Sequence, residues 1–430
     1  MIWNPGVETL DREALRARQD TRLQATVARV SHAVPFYRAR LDAAGIRAGD
    51  IRGVDDLARV PFTTKDDLRR AYPFDLLACP RDQVAEFHCS SGTTGTPTAA
   101  AYTRADWETW GETMARCLAS SGVGRGDIIQ NAFGYGLFTG GLGFHYGAQR
   151  LGAAVLPTSS GNTARQVRLL GEFGVTVLCC TPSYALHIAE AIDGAGGPPP
   201  ALRCGAFGAE PWCEATRAEI EGRLGIRASD IYGLSEVIGP GVAAECEARG
   251  GLHVQEDHFF PEVVDPATGA PLPPGTPGEL VLTTLTKEAA PLLRYRTGDI
   301  TSLDPEPCAC GRTLVRMARV GGRIDDMLIV RGVNLFPSDI EAVLLRIPDL
   351  TPHYQIVIHR PRALDVLEVH IERRDAGATE TVALARRAES ALRANLGLSA
   401  VVAVLAPGEI PRSEGKALRV IDRRPRRGTK

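Results

Sequence analysis

Residues 175–192 read VTVLCCTPSYALHIAEAI, and residues 202–224 read LRCGAFGAEPWCEATRAEIEGRL. Each stretch begins with a short apolar run typical of a buried strand and continues into a segment with helical spacing of apolar residues. A strand followed by a helix, twice in succession, predicts a mostly parallel sheet covered by helices. Ligands of such sheets bind beyond the carboxyl ends of the strands, so the residues that follow each strand are the first candidates for a site.

The rest of the chain predicts further regions with a different secondary structure. Residues 11–45 have helical spacing that is interrupted at Pro35, and a stretch rich in proline and glycine after residue 260 indicates a β-rich subdomain. The last hundred residues predict an α+β unit with strands at 354–360, 366–373 and 401–405 and a helix at 379–396. We therefore expect an α/β fold with a large N-terminal domain over residues 1–322 and a small mobile α+β domain over residues 323–430.

Composition excludes several classes of protein. Hydrophobic residues make up 44% and charged residues 23% of 430, which is ordinary globular usage and argues against disorder. Lysine and arginine number 49 against 51 acidic residues, so no global charge favours nucleic acid or an anionic membrane. No run of 18 apolar residues occurs and the first residues lack a secretory apolar core, so the cytoplasm is the expected compartment.

A nine-residue segment, SSGTTGTPT at 90–98, carries six hydroxyl side chains and two glycines. Glycine lets the backbone approach a ligand closely, and hydroxyl and N–H groups can hold phosphate oxygens. The segment lacks the Gly-Lys-Ser/Thr of a Walker A loop. By itself it fits a flexible polar loop equally well.

Four further motifs follow in order: YGLSE at 232–236, RYRTGD at 294–299, GRIDD at 322–326 and PRSEGK at 411–416. An aromatic face such as that of Tyr232 can stack on a base, and a carboxylate such as Glu236 can hold a divalent cation. Asp299 after its glycine turn could accept hydrogen bonds from two ribose hydroxyls. Taken singly, each motif also fits an ordinary turn, linker or exposed loop.

Taken together, the motifs resemble the adenylate-forming superfamily of acyl-CoA synthetases, adenylation domains and luciferase. More narrowly, the chain resembles the phenylacetate–CoA ligase family. NAFGYGLFTGGLGFHYG at 131–147, EDHF at 256–259 and DDMLIVRGVNLFP at 325–337 are similar to that family. The resemblance runs nearly from end to end and implies a two-step reaction, in which ATP and a carboxylic acid form an acyl-adenylate and a thiol then displaces AMP.

The resemblance also implies roles for single residues. The phosphates are assigned to Ser90, Ser91, Gly92, Thr93, Thr94 and Gly95, and the adenine to Gly208, Ala209, Glu210 and Tyr232. Gly233 and Ser235 are assigned to nucleotide binding in general. Glu236 is expected to bind Mg²⁺, and Asp299 and Arg323 the ribose. Lys416 is expected to bridge the carboxylate and the α-phosphate, where a cation lowers the repulsion between two anions. Asp325 is the expected hinge. Thr96 departs from the family, which usually carries lysine there, and this predicts weaker ATP binding or a slower first step.

Cysteine and histidine predict a separate metal site. Cys308 and Cys310 form a C-x-C on a proline-rich loop, and Cys246 and His253 lie upstream in C-x6-H spacing. Three thiolates and an imidazole suit a closed, tetrahedral structural Zn²⁺ site. The spacing matches no standard zinc finger, so an unligated thiol pair is the alternative reading, and His258 competes with His253 as the fourth ligand.

Aromatic residues among glycines predict the acid pocket. The candidates are Phe133, Tyr135, Phe138, Gly141 and Phe144. Ligand pockets are mostly apolar, and glycines let aromatic walls close around a flat ligand. In relatives the position of Phe144 is often small, so an inward-pointing Phe144 would favour an acid the size of benzoate or anthranilate over phenylacetate.

The predicted function is that of a cytoplasmic aromatic-acid ligase that needs ATP and Mg²⁺ and uses CoA as the acceptor. The nearest alternative keeps the adenylation and loads the acyl group onto the phosphopantetheine of a carrier protein. A non-catalytic nucleotide sensor is the alternative from another class, favoured only by Thr96. No nucleic-acid or membrane partner is expected, and a homodimer is one expected assembly.

Overall fold

A computed structural model describes residues 1–90, 97–194, 196–331, 333–361, 364–375 and 381–424. The chain packs as two compact units. Unit 1 comprises Met1–Cys180, Pro199–Ala209 and Arg227–Arg319, and unit 2 comprises Thr181–Pro198, Glu210–Ile226 and Val320–Lys430. The second unit therefore includes two segments from the middle of the chain. The division expected at residue 322 stays a prediction.

The helices and strands of unit 1 alternate only from β2 to β5. Its helices are α1 (Pro5–Glu8), α2 (Arg12–Ala33), α3 (Pro35–Ala43), α4 (Lys65–Arg70), α5 (Arg104–Ser120), α6 (Thr139–Leu151) and α7 (Thr163–Glu172). Its strands are β1 (Val84–Cys89), β2 (Ala99–Thr103), β3 (Ile128–Asn131), β4 (Ala154–Leu156), β5 (Val177–Cys180), β6 (Cys204–Gly208), β7 (Arg227–Leu234), β8 (Gly239–Glu245), β9 (Leu252–Val254), β10 (Phe259–Val264), β11 (Gly278–Thr284), β12 (Tyr295–Thr301), β13 (Leu303–Asp304) and β14 (Arg316–Met317).

A nine-stranded sheet in the order β13-β14-β9-β8-β7-β6-β5-β3-β4 forms the centre of unit 1. The half from β4 to β7 is parallel, which confirms the prediction made from residues 175–224. From β7 onward the pairs are antiparallel, so the sheet is more mixed than expected. Only four residues separate β7 from β8, and a parallel return needs a crossover of about a dozen residues or more.

The β-rich region expected after residue 260 is present. Strands β10, β11 and β12 form an antiparallel sheet, with Val263 opposite Leu280 and Val281 opposite Arg296. Earlier in the chain, β1 and β2 form a hairpin on either side of the hydroxyl-rich segment. The two strands thus fix both ends of the predicted phosphate loop in unit 1.

The first long helix shows how the sequence sets its boundaries. The Asp11 side chain caps α2 by accepting a 2.8 Å hydrogen bond from the N–H of Ala14. Leu23, Val27 and Val30 are fully buried along one face. The helix ends before Pro35, which becomes the first residue of α3, so the predicted interruption is confirmed.

Unit 2 is an α+β arrangement. Its helices are α8 (Pro182–Asp193), α9 (Glu214–Leu224), α10 (Pro337–Leu344) and α11 (Thr381–Leu396). Its strands are β15 (Gly322–Arg323), β16 (Leu328–Val330), β17 (Val333–Leu335), β18 (Leu350–His359), β19 (Val366–Arg373), β20 (Val401–Leu405) and β21 (Val420–Asp422). The pairing expected of the two long strands is confirmed, since Tyr354 lies opposite Ile371 in β18 and β19.

A four-stranded sheet in the order β20-β19-β18-β21 carries the core of unit 2. Ile356 and Val369 of the central strands are fully buried, as is Leu384 of α11. Helices α10 and α11 contribute to the same hydrophobic cluster. In the described ranges of both units, no helix combines the length and the apolar character needed to cross a bilayer.

Candidate active site

The carboxyl ends of β6 and β7 hold the first group of predicted site residues. Gly208 is the last residue of β6, and Gly233 lies near the end of its parallel neighbour β7. A Cβ on Gly208 would lie 2.2 Å from the carbonyl oxygen of Ile231, and one on Gly233 would lie 2.0 Å from that of Gly239. Both positions therefore require glycine, because the backbone passes too close for a side chain.

Tyr232 and Asp299 meet in the structure although 67 residues separate them. The Tyr232 hydroxyl donates a 2.6 Å hydrogen bond to Oδ2 of Asp299. Asp299 is 3% exposed, and its N–H donates to Oγ1 of Thr297 at 3.0 Å. Gly298 has a φ of 77°, a left-handed conformation that favours glycine. Two of the predicted nucleotide residues are thus fixed against each other.

Glu236 lies beside the segment expected to grip the phosphates. The Thr98 hydroxyl donates to Oε1 of Glu236 at 3.2 Å, and the N–H of Thr98 donates to Oγ of Ser90 at 2.9 Å. Ser235 is nearby in sequence, and its hydroxyl lies 2.9 Å from that of Thr139. The remaining phosphate-loop predictions, Ser91, Gly92, Thr93, Thr94 and Gly95, and the departure at Thr96, lie outside the described residues.

Ala209 and Glu210 follow β6 but lie in different units. Ala209 has a φ of 70°, which turns the chain sharply after the strand. In unit 2 the Glu210 carboxylate accepts hydrogen bonds from the N–H of Ser183 at 2.6 Å and of Ala417 at 3.1 Å. Both carboxylate oxygens are therefore used by backbone donors, and a contact between adenine and this residue stays a prediction for its main chain.

The predicted acid pocket contains one stacked pair and one hydrogen-bonded group. Phe133 and Phe144 are buried and stack with their ring centroids 4.7 Å apart. The hydroxyl of Tyr135 accepts from Nδ2 of Asn131 at 2.8 Å and lies 3.1 Å from Nδ1 of His145. Burial raises the pKa of Tyr135 to about 12, so the phenol stays protonated at neutral pH.

Two other pocket candidates behave differently from each other. A Cβ on Gly141 would lie 2.7 Å from the carbonyl oxygen of Gly134 and 3.0 Å from the Tyr135 ring, so this position needs glycine. Phe138 is 51% exposed, which is unlike the buried wall that the sequence predicted. Phe138 is the N-cap residue of α6, and its part in the acid pocket stays a prediction.

The loop between β3 and α6, residues 132–138, is called the acid loop here. It is hydrogen-bonded to β1, the strand that leads into the phosphate segment at residues 90–98. The carbonyl oxygen of Leu137 accepts a 3.1 Å hydrogen bond from the N–H of Cys89 and lies 3.1 Å from Nδ1 of His88. His88 is 1% exposed and also lies 2.5 Å from Oε1 of Glu86 through Nε2. One peptide group of the acid loop is therefore held by two consecutive residues of β1.

Unit 2 carries the remaining predicted residues. Lys416 is exposed on the segment between β20 and β21. The preceding carbonyl, that of Gly415, accepts a 2.9 Å hydrogen bond from the hydroxyl of Thr181, the N-cap of α8. Arg323 belongs to β15, and Asp325 is exposed in the 3₁₀ turn that follows it.

Comparison with known proteins shows the family to which the chain belongs. The profile described as AMP-binding enzyme matches residues 12–285, and the profile described as AMP-binding enzyme C-terminal domain matches residues 332–424. The chain belongs to the AMP-binding enzyme family. Its resemblance to phenylacetate–CoA ligases, expected from the motifs, is thereby confirmed at the level of the family.

Relatives and solved structures within the family are similar over nearly the full length. The phenylacetate–coenzyme A ligase of Thermus thermophilus is 52% identical over 99% of this chain and 100% of its own length. The enzyme of the same name from Escherichia coli is 48% identical over 97% of each chain. A crystal structure of 2-hydroxyisobutyryl-CoA ligase in the postadenylation state has a TM-score of 0.91 at 31% identity, covering 97% of this chain and 91% of that chain.

The four predicted zinc ligands come together in unit 1. The ligand atoms of Cys246, His253, Cys308 and Cys310 all lie within 4.8 Å of one another. The sulfurs of Cys246 and Cys308 are 3.7 Å apart, and Nε2 of His253 is 3.4 Å from the sulfur of Cys310. Tetrahedral Zn–S bonds of about 2.3 Å would separate two sulfurs by roughly 3.8 Å, so the donor set fits zinc.

The surroundings of His253 also suit a metal ligand. Its Nδ1 lies 3.3 Å from the carbonyl oxygen of Leu314, which orients the ring and leaves Nε2 to face the sulfurs. Burial lowers the pKa of His253 to about 4, so the imidazole is neutral at physiological pH. The competing candidate, His258, lies instead 3.1 Å from Oδ2 of Asp257 and 2.8 Å from Oγ1 of Thr286. His258 therefore stands outside this cluster.

Three site residues were missed by sequence reasoning. Asn131 and His145 hold the Tyr135 hydroxyl, and His88 holds the acid loop at Leu137. The position of His145, four residues after Gly141 on α6, places both on one helical face and was a usable signal. No comparable signal marks His88, because its partner lies 49 residues away in a loop.

Proposed function

We propose that this protein is an ATP-dependent aromatic acid–CoA ligase that forms an acyl-adenylate and then an acyl thioester. The observation that carries the proposal is the 52% identity, over the full length, to a protein described as phenylacetate–coenzyme A ligase. Three other proteins with that description are 46–48% identical over 97–98% of this chain. Phenylacetate is accordingly the first acid to test.

In the adenylation step, an oxygen of the acid attacks the α-phosphorus of ATP and pyrophosphate leaves. Lys416 is the group proposed to lie between the carboxylate and the α-phosphate, where its positive charge stabilises the crowded anionic transition state. Asp299, fixed by Tyr232, would accept hydrogen bonds from the ribose hydroxyls, and Arg323 is assigned to the same sugar. The segment from Ser90 to Gly95 is proposed to bind the phosphates.

The adenine would lie at the ends of β6 and β7. Gly208, Ala209 and Gly233 lie there with Tyr232, whose ring face can stack on the base. Glu236 supplies the carboxylate oxygens suited to Mg²⁺, which would neutralise phosphate charge when bound. The hydrogen bond from Thr98 already orients that carboxylate.

In the second step, the sulfur of CoA attacks the acyl carbon, the bond from that carbon to the phosphate oxygen breaks, and AMP leaves. Asp325 is proposed as the hinge that removes Lys416 before this step, in keeping with its exposed place in a short turn. A carrier-protein thiol is the alternative acceptor. A homodimer and a cytoplasmic location stay predictions.

The acid pocket supports a flat aromatic substrate. The stacked Phe133 and Phe144 are proposed as its apolar wall, and the Tyr135 hydroxyl, held by Asn131 and His145, as its polar group. Whether benzoate or anthranilate is preferred over phenylacetate depends on how far Phe144 shortens the pocket. Size discrimination of about 1–3 kcal/mol per methylene is the most such a wall can supply.

We further propose that Cys246, His253, Cys308 and Cys310 bind a structural Zn²⁺. The fitting distances between their ligand atoms and the neutral, oriented imidazole support this assignment. With four protein ligands the site is closed, so its role is to fix the loop that carries Cys308 and Cys310 against β9. The ion takes no part in the reaction.

The test of the ligase function is acid-dependent exchange of pyrophosphate into ATP, with phenylacetate, benzoates, anthranilates and medium-chain fatty acids compared at equal concentration. Exchange with aromatic acids, followed by thioester formation with free CoA, is the expected result. Exchange without reaction toward CoA, but with acylation of a phosphopantetheinyl carrier protein, would replace CoA with the carrier. Folded protein with Mg²⁺ that exchanges with none of the acids would overturn the proposal.

A further inference from the structure

A cluster of charged residues in unit 2 lies at the start of residues 410–416, the segment that carries Lys416 and is called the lysine segment below. The guanidinium of Arg412 is held between two carboxylates. From one side Nε and Nη2 donate to Glu190 of α8 at 2.7 and 3.0 Å. From the other side Nη1 and Nη2 each donate to Glu372 of β19 at 2.8 Å. Such paired, charge-assisted hydrogen bonds fix a side chain in both distance and orientation.

Glu190 is the member of this cluster that belongs to α8. Its Oε1 also lies 2.7 Å from Nε2 of His353, and its Oε2 lies 3.7 Å from Nδ1 of His187. Burial raises the pKa of Glu190, but the neighbouring His187, His353 and Arg412 outweigh this effect and hold the pKa well below its usual range. The carboxylate is therefore ionised throughout the physiological range.

Helix α8 holds the lysine segment at two points. At one end of the helix, the hydroxyl of Thr181 donates to the carbonyl oxygen of Gly415, the residue before Lys416. Nine residues along the chain from Thr181, Glu190 binds Arg412, four residues before Lys416. Arg412 also joins the segment to β19 through Glu372, which accepts from the N–H of Ile410 at 2.6 Å. The lysine segment is thus held by hydrogen bonds near both ends of α8.

The geometry points to Glu190 as a positioning residue for Lys416, acting through Arg412 in the adenylation step. This inference rests on the role proposed above for Lys416. Glu190 lies within the strand-and-helix stretch 175–192 but belongs to none of the motifs to which a chemical role was assigned. A lysine that bridges two anions must be held within a fraction of an ångström, and a misplacement of about 1 Å can slow a reaction roughly a hundredfold.

The test compares Glu190→Gln with a matched control, Glu219→Gln. Glu219 of α9 forms a comparable two-point ion pair with Arg374, the residue after β19, at 2.7 and 2.8 Å. In the described structure none of the hydrogen bonds or ion pairs of Glu219 reaches residues 410–416. Two half-reactions are measured for each variant: pyrophosphate exchange, and thioester formation from supplied acyl-adenylate and CoA. Thermal unfolding of each variant is recorded alongside.

We expect Glu190→Gln to lower kcat for exchange roughly 10- to 100-fold, with KM for ATP and acid and the thioester rate within about twofold of the parent. Glu219→Gln should leave both half-reactions unchanged. Arg412→Lys keeps the positive charge but lacks the planar guanidinium that binds both carboxylates. It should therefore lower the exchange rate and spare the thioester rate in the same way, and it replaces Glu190→Gln as the test variant if Glu190→Gln does not fold.

Three outcomes would count against the inference or its basis, and they are distinguishable. Equal losses in both half-reactions would make Glu190 merely structural, and an unchanged exchange rate in a folded Glu190→Gln protein would remove it from catalysis. Lys416→Ala, assayed in parallel, tests the proposed function itself. Retained exchange in that variant would overturn the role of Lys416, and that of Glu190 with it.

Discussion

The hydrogen bond between Tyr232 and Asp299 allows the nucleotide site to be tested one atom at a time. Replacing Tyr232 with phenylalanine keeps the ring that would stack on adenine and removes only the hydroxyl that donates to Oδ2 at 2.6 Å. A hydrogen bond to a charged group contributes about 1.5–3 kcal/mol, and 1.4 kcal/mol corresponds to a factor of ten in an equilibrium constant. This free energy sets the upper bound on what the loss of the hydroxyl can cost the ribose contact, so we expect KM for ATP to rise severalfold and by at most roughly 100-fold in Tyr232→Phe, measured by exchange at saturating acid.

Two companion variants separate the bond from other effects. Tyr232→Ala removes the ring as well and should weaken ATP binding further. Tyr37→Phe removes another buried hydroxyl, one that accepts from the N–H of Leu293 at 3.2 Å and lies 3.1 Å from Oγ1 of Thr63. It should lower the melting temperature without changing KM for ATP. A Tyr232→Phe enzyme whose KM for ATP stays within twofold of the parent would refute the reasoning, since the carboxylate would then not depend on its donor.

Three other expectations follow from single positions. Cys308→Ser should reduce the zinc content from one ion per chain to a small fraction and should lower the melting temperature. Zinc is measured by plasma mass spectrometry, and an unchanged zinc content would mean that the cluster is not the zinc site. Gly141→Ala places a Cβ 2.7 Å from a carbonyl oxygen and should raise KM for the acid but not for ATP. Burial lowers the pKa of Lys287 to about 8 from 10.5, so the unfolded chain binds the extra proton between these pH values. Stability should rise with pH across that window, and Lys287→Met should flatten the rise by an amount on the order of 3 kcal/mol in urea titrations.

Much of the fold could be predicted because the sequence carries local signals for it. The apolar runs that became β5 and β6 and the proline that ends α2 are such signals. The antiparallel half of the large sheet was not foreseen, since the short return from β7 to β8 follows from a connection length rather than from any residue pattern. Phe138 was predicted as a pocket wall because it is an aromatic residue among glycines, a pattern that does not determine how far the side chain is exposed.

The candidate site divides in the same way. The motifs marked Tyr232 and Asp299 separately, and the zinc ligands were marked by thiol and imidazole spacing. The contacts of His88 and Glu190 were out of reach, because each depends on a partner dozens or hundreds of residues away. Glu190 and Arg412, for example, are separated by 222 residues. Long-range pairs of this kind leave no periodic trace in a sequence.

The carbonyl of Leu137, shared by Cys89 and His88, has a consequence for the order in which substrates bind. A ligand that orders the acid loop also restrains the start of the phosphate segment. The second substrate then binds to a protein that is already partly ordered, so its binding costs less conformational entropy. Coupling of this kind is reciprocal: acid would tighten ATP to the same extent that ATP tightens acid. Initial-rate kinetics should therefore show synergy, with each substrate lowering the KM of the other.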